Sequence, residues 1–97
     1  MKKLNELPQG QQKALYAILL LRQKSFLSSE VARGLTKFGW SPNEGKSVGG
    51  VMGALYRNGF LEKLQGGRDK RWKLSAEIEK QLSEIKKMID SIKSYWV

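Results

Sequence analysis

Ninety-seven residues at 40% hydrophobic content suffice for one packed core, but not for two domains that each bury enough surface alone. Cysteine and histidine are both absent, which excludes disulfides, thiolate nucleophiles, imidazole general bases and the usual zinc ligands. The sequence therefore predicts a non-enzyme with no cofactor and no metal. The formal net charge is +9: residues 1–75 carry 14 Lys and Arg against 5 Asp and Glu, whereas residues 76–97 carry four against four. Such an excess attracts polyanions, with nucleic acid first among them.

The longest apolar run, Ala14 to Leu21, is much shorter than the roughly 20 residues of a membrane-spanning helix, and Lys13 and Arg22 bracket it. Lys2 and Lys3 ahead of an apolar stretch imitate a signal peptide. Pro8 and the Gln-rich Gln9–Gln12 intervene, however, and no small-residue cleavage site follows Leu21. No membrane partner is expected, and a cytoplasmic location is.

Leu15, Ile18, Leu19 and Arg22 follow Gln11 at helical spacing, so residues 8–24 read as a first helix with Pro8 in its first turn. Phe26 and Leu27 form a short extended stretch. Ser28 then has the character of an N-cap for a second helix over about 29–38, with Val31, Ala32 and Leu35 turned inward. Turn chemistry over 39–43 separates it from a third helix, about 44–58, whose apolar seam is Val48, Met52 and Leu55 and whose stop is Gly59. Gly49, Gly50 and Gly53 lie inside that helix, each costing about 1 kcal/mol of propensity relative to alanine. Two strand-like runs, 60–65 and 71–74, flank the hairpin signal Gly66-Gly67-Arg68-Asp69. Ser75 caps a final helix from Ala76 with Glu77 and Glu79 in its first turn.

The order helix, strand, helix, turn, helix, hairpin over residues 8–75 resembles a winged helix-turn-helix domain. Ser28–Leu35 is similar to the first helix of that motif, and Val48, Met52, Leu55, Gly59, Phe60 and Leu61 to a recognition helix running into the wing. The run Arg71-Trp72-Lys73-Leu74-Ser75 resembles the closing strand of the wing in MarR-like and PadR-like regulators. The resemblance implies an α+β fold, mostly α, with residues 1–75 as the winged helix-turn-helix domain and 76–97 as a long dimerisation helix. It also implies that double-stranded DNA is the partner and transcription regulation or DNA architecture the role.

Carried onto this sequence, the outward positions of the third helix are Lys46, Ser47, Gly49, Gly50, Gly53, Ala54 and Arg57, of which four offer no functional group to a base edge. The glycines admit two explanations: close approach of backbone to DNA, or close packing of another helix. The wing is richer in charge, with Lys63, Arg68, Lys70, Arg71 and Lys73 opposed only by Glu62 and Asp69, and Arg33 and Lys37 on the second helix extend the basic face. Gly45-Lys46-Ser47 imitates the end of a phosphate-binding loop, but the glycine that pattern needs at position 40 is Trp40. Finally, Ile78, Leu82, Ile85, Ile89, Ile92 and Trp96 repeat at coiled-coil spacing, broadened by Met88 and Tyr95. A 22-residue helix is about 33 Å long, so part of this seam is expected to meet a second copy of the chain, the other option being that it packs wholly on the chain's own first helix. The alternative is a winged helix that docks a protein through its third helix and leaves the wing incidental.

Overall fold

The computed structural model of the protein describes residues 4–36, 48–64 and 70–96. The sequence-predicted turn over 39–43, the residues Lys37, Lys46, Ser47 and Arg68, and the tip of the hairpin lie outside them. Helix α1 (Gln9–Leu21) follows a 3₁₀ turn, Leu4–Glu6, and opens at Pro8, whose fixed backbone suits a helix start. It buries Ala14, Leu15, Ala17 and Ile18 and packs against three later helices, so it forms the axis of the core. Strand β1 (Phe26–Leu27) leads directly into α2 (Ser28–Thr36). Ser28 is the first residue of α2 and does not cap it. The Glu30 carboxylate instead reaches back to accept the Leu27 amide at 2.8 Å, half of a capping box.

Helix α3 (Val48–Arg57) carries its predicted seam of Val48, Met52 and Leu55 into the core. It ends as glycine allows: Gly59 takes φ 85°, the Phe60 amide donates to the Leu55 carbonyl at 2.9 Å and the Gly59 amide to the Tyr56 carbonyl at 3.1 Å. These are the paired bonds of a Schellman ending, completed by the burial of both Leu55 and Phe60. Strands β2 (Leu61–Leu64) and β3 (Arg71–Leu74) pair antiparallel, and β3 also pairs antiparallel with β1, giving the order β1-β3-β2. The fold is thus α+β and mostly α. A single cluster of buried side chains runs from Leu4 to Ile89 and takes residues from both the helices and the sheet.

The C-terminal region departs from the expected continuous helix. Ser75 caps α4 (Ala76–Lys80) as the sequence suggested, accepting the Ile78 amide at 3.4 Å, but the helix breaks at Gln81 and restarts as α5 (Leu82–Ile92), followed by a 3₁₀ turn, Lys93–Tyr95. Ile78, Ile85 and Ile89, placed at the centre of the expected dimer seam, are 1%, 5% and 0% exposed within this one chain. The heptad spacing is satisfied internally, because α5 lies on α1 and on the N-terminal 3₁₀ turn. A buried amide fastens this closure: Gln12 donates to the Leu4 carbonyl at 3.2 Å and accepts the Trp96 indole N–H at 3.0 Å. Trp96 meets the Tyr16 ring edge-on at 5.7 Å. Of the seam, Leu82, Met88 and Tyr95 stay exposed, and Ile92 and Trp96 are half-buried against the core. Among the described residues no helix is long and apolar enough to cross a membrane.

Because the isoleucines are core residues, the pair Ile85→Asp and Ile89→Asp is expected to unfold the chain and not to release folded monomers. Ile89→Ala alone should cost about 2–4 kcal/mol, while Met88→Asp, on the exposed side, should stay within about 0.5 kcal/mol. Urea denaturation of the three variants measures this ordering.

Candidate nucleic-acid interface

With Val48, Met52 and Leu55 inside, a helical period of 3.6 residues places Gly50, Gly53 and Arg57 on the opposite side of α3, with Gly49 and Ala54 on the flanks. Gly49, Gly50 and Arg57 are exposed; Gly53 and Ala54 are half-buried. A Cβ added at Gly53 would meet nothing nearer than the Arg57 Nη1 atom, at 3.5 Å, which is ordinary contact. Among the described residues, then, no other helix packs on that position. Close helix packing is instead the task of Gly34 in α2, where a Cβ would stand 3.1 Å from the Ala17 Cβ of α1. The outer face of α3 is consequently a strip of backbone with a single long side chain, and no acidic residue occurs between Gly45 and Leu61.

The hairpin places its cations on two different faces. Side chains alternate along a strand, so Lys63, opposite Trp72, shares the inner face with Leu61 and Leu74, whereas Arg71 and Lys73 share the outer face with Leu64 and Glu62. Lys63 leans over α3: its Nζ lies 4.7 Å from the centroid of the Tyr56 ring and 5.8 Å from that of Trp72, both within cation–π range. The two rings are themselves 6.1 Å apart and tilted by 59°. This platform holds the Lys63 ammonium beside Tyr56 of α3, and Lys63 remains exposed.

The outer-face cations are engaged within the fold. Arg71 donates from Nε to the Ser25 hydroxyl at 3.0 Å and from Nη2 to the Ser25 carbonyl at 3.3 Å, and Nη2 lies 3.9 Å from the Glu30 carboxylate. Since Glu30 also holds the start of α2, Arg71 ties β3 to the β1–α2 junction. Lys73 pairs with Glu62 directly across the ladder at 3.2 Å. Lys70 is exposed at the start of β3. Arg33 borders a hollow of about 260 Å³ with Leu21, Gln23, Glu30 and Gly34, at the end of α1. Of the residues expected at the interface, the structure thus gathers Gly49, Gly50, Arg57 and Lys63 around α3, and sets Arg33, Arg71 and Lys73 apart from them.

Sequence reasoning passed over Tyr56 and the inner-face partner Trp72 as the support of Lys63. The signal was present: Lys63 stands two residues after the core residue Leu61, and strand alternation sends both to the same face. Among the described residues no group of three or more carboxylates converges as a metal site would require. Comparison with models of known protein families, with curated proteins and with solved structures finds no match.

The two glycines are expected to respond oppositely to alanine. Gly53→Ala should raise stability by about 0.5–1 kcal/mol, the helix-propensity difference, since its Cβ has room. Gly34→Ala should give a net loss of about 1 kcal/mol, because the Ala17 Cβ is fixed to its backbone and the two helices must separate to admit it. Thermal and urea denaturation of both variants check the signs.

Proposed function

We propose that the protein binds double-stranded DNA as a winged-helix module, acting as a transcriptional regulator or an architectural DNA binder. The observation that carries the proposal is the face formed by α3 and the inner side of the hairpin. It offers an exposed helix backbone along a stretch of sequence with no acidic residue between Gly45 and Leu61, with Arg57 on the helix and Lys63 over Tyr56 at its edge, while Lys70 is exposed at the start of β3. An α-helix fits the major groove, which is about 12 Å wide, and a helix lacking side chains on one face lies deeper in it. Phosphates on either side then meet the flanking ammonium groups, and release of their counterions drives binding.

On this proposal the phosphate contacts come from the inner face of the wing and not from the whole basic hairpin, because Arg71 and Lys73 already have partners in the fold. A two-chain assembly rests on Leu82, Met88 and Tyr95, since the isoleucines of the seam are inside. Binding through a single α3 face does not require it.

Affinity for a duplex of arbitrary sequence should fall steeply as salt rises. Lys63→Ala with Lys70→Ala is expected to flatten the slope of log affinity against log salt by nearly two units, at about 0.9 for each phosphate no longer neutralised. Arg71→Ala with Lys73→Ala should change it little. Fluorescence anisotropy at several salt concentrations measures both. A flat slope for the wild type, or no duplex binding at low salt, would overturn the proposal and leave the face of α3 to a protein partner.

A further inference from the structure

We infer that Arg57 is the residue through which this face distinguishes one DNA sequence from another, by a forked contact to guanine; the inference rests on the DNA-binding reading above. Along the described part of α3 the outward positions are Gly49, Gly50, Gly53, Ala54 and Arg57, and of these only Arg57 bears hydrogen-bond donors on its side chain. Its placement is specific. A Cβ at Gly53 would lie 3.5 Å from Arg57 Nη1, so the guanidinium folds back one helical turn and lies over Gly53. Helical side chains lean toward the N-terminus in this way, and here the glycine strip leaves room for the group along the middle of the face.

Among the described residues no hydrogen bond or ion pair engages the guanidinium, in contrast to Arg71. A helix whose glycine face is seated in the major groove presents this planar fork of N–H donors to the base edges. Guanine is the only base with two adjacent acceptors there, O6 and N7; adenine and cytosine each place an amino donor in that edge, and thymine has a single acceptor beside its methyl group. Among the described outward positions recognition is therefore narrow: Arg57 reads one base pair directly, and the lysines meet phosphates. Gly53 belongs to the same device, as the space in which the arginine lies.

The experiment is selection from a pool of randomised duplexes of about 20 base pairs with the wild type and with Arg57→Ala, followed by titration of a selected duplex and of its variants in which each G·C pair is replaced by A·T. Arg57 is exposed, and Arg57→Ala should fold with an unchanged thermal midpoint. For the wild type, one replacement should weaken binding on the order of 10-fold. Arg57→Ala should bind all these duplexes alike, with the preference reduced to about one. A guanine preference that survives in Arg57→Ala overturns the inference, as does uniform loss of affinity from a wild type that never discriminated; both leave DNA binding standing. Failure of every duplex to bind at low salt overturns DNA binding and this inference together.

Discussion

The Trp72 indole fixes the relation between hairpin and helices, and the composition of the α3 face depends on that relation. Trp72 lies on the central strand of the sheet, opposite Phe26 on one side and Lys63 on the other. Its ring is buried, its N–H donates to the Ser28 hydroxyl at 3.2 Å, and Tyr56 of α3 packs against it. One side chain thus meets β1, α2, α3 and β2. A buried indole N–H without an acceptor is costly, which is why Ser28, at the first position of α2, serves Trp72 and leaves helix capping to Glu30. Lys63, opposite Trp72 on the ladder, stands over Tyr56 of α3 in the same cluster.

Helix α3 joins weak local preference to strong packing. Three glycines among its ten residues cost about 1 kcal/mol each in propensity, whereas burying Val48, Met52 and Leu55 contributes on the order of 1.5–3 kcal/mol apiece. Packing prevails, and the Schellman ending at Gly59 stops the helix at a defined residue. The physical consequence is a division of labour between faces. Stability comes from the inner seam, so the outer face is free of any need for helix-forming side chains.

Much of the fold was legible in the sequence, because periodicity and turn chemistry are local. The seams of α1, α2 and α3, the stop at Gly59, strand β3 and the Ser75 cap all follow from spacing and residue type. Two features were not legible, for related reasons. Ser28 has the residue type of an N-cap, but its partner, Trp72, is 44 positions away. The cations of the hairpin look alike in sequence, yet strand alternation and the positions of Ser25, Glu30 and Glu62 divide them into engaged and exposed sets. Net charge reports how many cations there are; tertiary pairing decides which can meet a phosphate.

The C-terminal seam meets the same limit. A heptad repeat states that a helix has an apolar partner and says nothing of whose helix that partner is. Here the break at Gln81, the Gln12 amide donating to the Leu4 carbonyl, and the Trp96 indole donating to Gln12 turn Ile78, Ile85 and Ile89 into the chain's own core. On the DNA-binding proposal each chain then acts through one face. A single face with two lysines for phosphates and one base-reading arginine falls in the range of non-specific binding, with dissociation constants on the order of 10⁻⁴ to 10⁻⁶ M at physiological salt. Occupancy of DNA at that strength is governed by protein concentration and by how many faces engage one duplex. If two chains assemble, as proposed, exposed Leu82, Met88 and Tyr95 are the surface on which the number of engaged faces depends.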